Sequence, residues 1–164
     1  MRVGLISDTH NLLRPQALAA LQGCDRLLHA GDIGGPHILD ALRALAPVDA
    51  VRGNNDTADW AQALPLQRSL DLGGVRVQML HDLKDWPRWR DPKAQVVVTG
   101  HSHRPLVRDH EGVLWVNPGS AGPRRFSLPV SVALLTLNEG RAQARVVLLD
   151  VGVAARPRRP RSQG

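Results

Sequence analysis

The stretch Gln95-Val96-Val97-Val98-Thr99-Gly100-His101-Ser102-His103 decides how the rest of the chain is read. Its three valines are apolar on both faces, as a strand at the centre of a covered sheet must be. A glycine then breaks the strand, and two imidazoles follow two residues apart. That pairing, directly after a buried strand, favours metal binding over chance.

Working outward, the same arrangement recurs. The apolar run Val3–Ser7 leads into Asp8-Thr9-His10, and Arg26–His29 leads into Ala30-Gly31-Asp32. Val48–Arg52 leads into Gly53-Asn54-Asn55-Asp56, and Val75–Leu80 leads into His81-Asp82. Singly, most of these are ordinary turn sequences. Collectively they place potential ligands just past the C-terminal ends of five strands, the edge where open α/β sheets bind ligands. Seven donors gathered there would be a costly desolvated cluster unless a cation neutralised it. They are Asp8, His10, Asp32, Asn54, His81, His101 and His103.

Composition narrows the metal. Cys24 is the only cysteine, so internal disulfides and thiolate-cluster zinc sites are excluded. Carboxylate, imidazole and amide donors suit Mn, Fe, Ni or Zn. Two ions about 3.5–4 Å apart, sharing one carboxylate, would use all seven donors.

The 164 residues make room for one compact domain. Pro15 opens a helical segment carrying Ala17, Leu18 and Leu21 that ends at Gly23. Pro36 opens another, with Ile38, Leu39, Leu42 and Leu45 on one stripe. Strands and helices alternate in the first half, and strands predominate later in Leu106–Arg108, Val113–Val116, Val130–Leu137 and Arg141–Leu149. That pattern fits an α/β domain with layered sheets. Val75–Leu80 and Arg141–Leu149 partly alternate polar with apolar and are expected to expose one face.

Charge needs locating before it is interpreted. Arg156, Arg158, Arg159 and Arg161 account for four of the net +6, so the folded part is not a basic domain. Only five aromatic residues, four Trp and one Phe, argue against a stacking platform for single-stranded nucleic acid. No apolar run approaches about 18 residues, and Met1–Ser7 reaches Asp8 too early for a signal peptide. The expectation is a cytoplasmic protein that contacts neither membrane nor nucleic acid.

The ordered set Asp8-x-His10, Gly31-Asp32, Gly53-Asn54, His81 and Gly100-His101-x-His103 resembles the calcineurin-like metallophosphoesterase superfamily. Within it, the resemblance is to the small single-domain bacterial and archaeal phosphodiesterase branch. Asn117-Pro118-Gly119-Ser120 also resembles a segment this branch carries after its last ligand. The resemblance implies a four-layer αββα sandwich of two mixed β-sheets flanked by helices. Residues 1–151 would form the phosphoesterase domain, and 152–164 a disordered Pro/Arg-rich tail. It also implies two divalent metal ions, manganese first, with iron, nickel or zinc as alternatives. One would be held by Asp8, His10, Asp32 and His103, the other by Asp32, Asn54, His81 and His101, with Asp32 shared. A hydroxide spanning them would attack a small phosphoester, nucleotide-derived ones included. Small relatives often self-associate, so a homo-oligomer is compatible. The same fold also serves as a non-catalytic interaction scaffold in a eukaryotic retromer subunit whose metal site is eroded.

Two departures from the family pattern stand out. Many relatives place a His after the metal-binding Asn to protonate the leaving group; here that position is Asn55. Water or Asp56 would have to supply the proton, which favours phosphodiesters over alkyl phosphomonoesters. Asp82 replaces a common Gly after His81 and is expected to face solvent rather than to hold His81. His29 reads as a residue in or beside the core, and Asp56 as a turn or supporting residue. Trp60, Trp86 and Trp89 read as packing residues, with a pocket wall as the alternative. Arg124 and Arg125 are equally a solvated basic loop or a grip on phosphate oxygen.

Overall fold

The structure, a computed structural model, describes residues 1–152. The arginine-rich segment beyond them lies outside the described residues.

Two mixed five-stranded sheets pack face to face. The first contains β1 (Arg2–Ile6), β2 (Arg26–His29), β3 (Val48–Ala50), β9 (Ser131–Asn138) and β10 (Arg141–Leu148), ordered β10-β9-β1-β2-β3. The second contains β4 (Gln67–Leu72), β5 (Val75–Leu80), β6 (Val96–Val98), β7 (Leu106–His110) and β8 (Val113–Asn117), ordered β4-β5-β6-β8-β7. Strands β1, β2 and β3 run parallel, as do β5, β6 and β8. Their β-branched and leucine side chains build the core between the sheets, from Val3, Leu5 and Leu28 across to Val77, Met79, Val96 and Val98.

Helices α1 (Pro15–Leu21) and α2 (Pro36–Arg43) cover the outer face of the first sheet. Each begins on a proline whose missing N–H costs nothing in the first turn. Each buries its apolar stripe, Ala17 and Leu21 in one and Ile38, Leu39 and Leu42 in the other. A thinner layer covers the second sheet, where the four-residue α3 (Trp86–Trp89) packs with Trp115 over Leu80, Ala94 and Val97. The layer order is therefore helix, sheet, sheet, helix.

The four-residue α3 had no counterpart in the sequence reading, and two strands also depart from it. Strand β4 had no counterpart there, because its Gln67, Arg68, Ser69 and Asp71 dilute the apolar alternation. It is an edge strand, joined to β5 by the two-residue turn Gly73-Gly74, with φ of 53° and 77°. Strand β5 does not expose one face. It lies inside the sheet, and its polar Gln78 is fully buried among partners described below. Strand β6 is central, and the edge strand β10 alternates as expected.

Candidate metal centre

Parallel strands that end at one level bring their following loops together, and the two sheets do so along a shared rim. The structure brings all seven expected donors to it. Asp8 and His10 follow β1, Asp32 follows β2, Asn54 follows β3, His81 follows β5, and His101 and His103 follow β6.

The donors form two overlapping groups. In one, His10 Nε2 and His103 Nε2 lie 3.3 Å apart, with Asp8 Oδ1 3.2 Å from His103 Nε2 and 3.8 Å from His10 Nε2. In the other, Asn54 Oδ1 lies 3.0 Å from His81 Nε2 and 3.1 Å from His101 Nδ1. Asp32 Oδ2 stands between them, 3.7 Å from His10 Nε2 and 3.4 Å from His81 Nε2.

These contacts leave lone pairs facing lone pairs. His81 donates its Nδ1–H to the Ala30 carbonyl at 2.7 Å, which leaves its Nε2 as an acceptor toward the cluster. Asp8 Oδ2 accepts from Ser7 Oγ and from the His101 backbone N–H, whereas the buried Asp8 Oδ1 has no hydrogen-bond partner. An orphaned, buried carboxylate oxygen among imidazole nitrogens fits a divalent cation.

The backbone is bent to achieve this. Asp8, His10, Asp32, His101 and His103 all have positive φ, between 43° and 65°. Side chains resist that region, and such residues concentrate where function over-determines the fold. Loop-to-loop hydrogen bonds hold them, from Asp8 N to Gly31 O, His10 N to Asp32 O, and Gly100 N to His81 O. Gly53 and Gly100 allow the close approach. A Cβ on Gly53 would overlap Asp32, and one on Gly100 would overlap Ser7 Oγ and press on Asp8.

Electrostatics follow the geometry. Burial pushes the Asp32 carboxyl upward, but the neighbouring His81 imidazole and the two bonds from Asn55 outweigh it and hold the pKa well below the carboxylate range. Burial pulls His81 down, yet Asp32, Asp8 and the Ala30 carbonyl leave it raised. His10 goes the other way, lowered by burial and by Arg125 and His103, against the pull of Asp32 and Asp8.

The supporting residues were only partly legible beforehand. Asn55 does not face the cluster as a proton donor. Its N–H and Nδ2 both donate to Asp32, at 2.9 and 2.8 Å. Asp56 cannot supply the proton either, because its two oxygens accept the backbone N–H groups of Ile33, Gly34 and Gly53. It is the clasp between the loops after β2 and β3. Fully buried His29 accepts the Gly31 N–H at Nδ1 and so presents Nε2–H to Thr9 Oγ1 at 3.0 Å. It joins the Asp8–His10 loop to the Asp32 loop. Ser120 donates to the Asp8 carbonyl, and Asn117 Nδ2 donates to the Gly100 carbonyl.

Asp82 departs from the expectation of a solvent-facing residue. Its Oδ2 lies 3.5 Å from His101 Nε2, so the carboxylate stands behind the imidazole whose Nδ1 faces Asn54. Trp60 packs against the helix-side core, whereas Trp89 lines a cleft beside His81 and His101. Arg124 and Arg125 are exposed on the loop after Gly122, on the His10 side of the rim.

The chain is similar to known proteins over most of its length. The chain is 33% identical over 161 residues to a probable metallophosphoesterase of Methanothermobacter thermautotrophicus, covering 90% of this chain and 92% of that protein. Among solved structures, Yfce, a phosphoesterase from E. coli, is 26% identical with a TM-score of 0.66, covering 83% of this chain and 88% of the other. Vps29 of Entamoeba histolytica, in a complex with zinc, is 25% identical with a TM-score of 0.70, covering 90% and 99%. The family model of the calcineurin-like phosphoesterase superfamily domain matches residues 1–140. A chain matched over that length, with those donors on one rim, belongs to the calcineurin-like phosphoesterase superfamily.

Proposed function

We propose that the chain is a phosphodiesterase for small substrates that works through two divalent cations. Asp8, His10, Asp32 and His103 would hold one, Asp32, Asn54, His81 and His101 the other. The observation that carries this reading is the convergence of both donor groups on Asp32 Oδ2. When bound, such a pair supplies Lewis acidity and lowers the pKa of water enough to give a nucleophile near neutral pH. Manganese is the first ion to try.

The chain's own residues set up the rest. Asn55 fixes the orientation of Asp32 through two bonds, and the Ala30 carbonyl fixes the tautomer of His81. Asp8 and Asp32 reduce the positive charge of the loaded site, which keeps an anionic product from being retained. Asn55 and Asp56, the two residues that follow Asn54, are both occupied, so neither protonates a leaving group. Diesters with activated or cyclic ester groups need that proton least, which is why they are favoured over alkyl monoesters.

The test is hydrolysis of an activated aryl diester with added manganese. Chelator, Asp32→Ala and His101→Ala should each remove about a hundred- to a thousandfold of the rate, the scale of electrostatic transition-state stabilisation. Full activity in Asp32→Ala would discard the mechanism. Asn55→His should shift the preference toward monoesters, and a wild-type protein that already prefers alkyl monoesters would overturn the choice of diester. A scaffold role on this fold has less support, because all seven donor positions are filled.

A further inference from the structure

A cleft of about 310 Å³ opens directly from Asn54, His81 and His101, at the small end of ligand-pocket sizes. Its apolar lining is Leu66, Leu80 and Trp89. Leu66 is 48% exposed, unusual for a leucine next to a polar site. The Arg88 guanidinium lies over the Trp89 ring, 4.9 Å from its centre, so the indole backs a planar cation at the cleft.

This wall is built rather than incidental. Gln78, fully buried on β5, donates to the Trp89 carbonyl at 2.5 Å and accepts from the Trp86 indole N–H and the Asp91 N–H at 3.2 and 3.0 Å. One glutamine thus fixes both ends of α3 and the position of Trp89. A buried polar side chain that spends its bonds on a short surface segment is holding that segment in register.

The charge of the lining chooses between occupants. Arg52 and Arg88 are balanced by Asp82 and Asp85, and Arg52 is itself bonded to Gln62. A second phosphate would meet two carboxylates as well as two guanidinium groups. A neutral planar group loses nothing there, gains the apolar walls, and finds acceptors for amino hydrogens in the carboxylates.

We propose that this cleft seats the nucleobase of a nucleotide-derived phosphodiester, stacked on the Arg88 guanidinium that Trp89 backs and flanked by Leu66, while its phosphate reaches the donor cluster. The proposal rests on the phosphodiesterase reading for the phosphate and on the cleft alone for the base. It gives the substrate one base slot, suited to a mononucleotide unit rather than to a long strand.

The test follows the four indole N–H resonances of the full chain by NMR during titration with adenosine and, separately, with ribose. Trp89→Phe identifies the relevant resonance. Adenosine should move it and ribose should not. Leu66→Ala, at a half-exposed position, should weaken adenosine binding about fivefold through lost apolar contact. A Trp89 resonance indifferent to adenosine, or moved equally by ribose, overturns the proposal. Hydrolysis separates the two readings. If adenosine binds at Trp89 while no diester is cleaved with any metal, the phosphodiesterase assignment fails and the base slot stands. If diesters are cleaved and adenosine leaves Trp89 untouched, the reverse holds.

Discussion

His101 illustrates what single residues give up for the site. Its φ of 65° places a β-carbon where the following carbonyl crowds it, and four other donors share that conformation. The strain survives because neighbouring loops fix these backbones from outside. His101 is 40% exposed, so little packing is lost when its ring is removed. His101→Gly should therefore be more stable than His101→Ala by about 1 kcal/mol, although both lose the imidazole. Urea denaturation of the two variants measures the difference; equal stabilities would mean that the surroundings relax the backbone.

Two strands carry supporting residues whose effects belong to whole elements. Strand β5 holds α3 through Gln78. Gln78→Leu leaves the Trp86 indole, the Asp91 N–H and the Trp89 carbonyl to find other partners. It should cost about 2–3 kcal/mol, read by denaturation, and should let the 86–91 segment exchange its amide hydrogens faster. Strand β2 ends in His29, which burial, against the pull of Asp8 and Asp56, lowers to a pKa of about 4. The unfolded chain takes up this proton near pH 6.5, whereas the folded chain resists it. Stability from His29 is thus complete above pH 6.5 and is lost as the pH falls toward 4, about 3 kcal/mol in all. His29→Gln should flatten the pH dependence of the denaturation midpoint across that window, and an unchanged slope would contradict the assignment.

At the scale of the molecule, the two sheets contribute unequal shares of one site. The first sheet supplies Asp8, His10, Asp32 and Asn54, and the second supplies His81, His101 and His103. A ligand held by both should therefore fasten sheet to sheet. Manganese at about a hundred times its dissociation constant should add roughly 2.7 kcal/mol for each ion bound. For a chain of this length that means a rise in melting temperature of at least about 5 °C. Chelator should reverse the rise, and Asp32→Ala should abolish most of it. A melting temperature blind to manganese would argue that the donors enclose no cation.

Among the described residues, the sequence determined the α/β class, nine of the ten strands and which seven side chains gather on the rim, because each is written locally. Apolar period and strand-ending glycines are properties of a few adjacent residues, and so is the placement of His, Asp and Asn directly after each strand. Strand β4 escaped because an edge strand needs little apolar alternation, and only Gly73-Gly74 signalled its hairpin. Tertiary structure alone decided which partners the polar residues chose. Asn55 turned to Asp32, Asp56 closed two loops, Asp82 stood behind His101, and Gln78 was buried to hold Trp89. Those choices depend on which chain segments become neighbours across as many as 23 residues of sequence, and a side chain's short reach lets only the folded arrangement settle them.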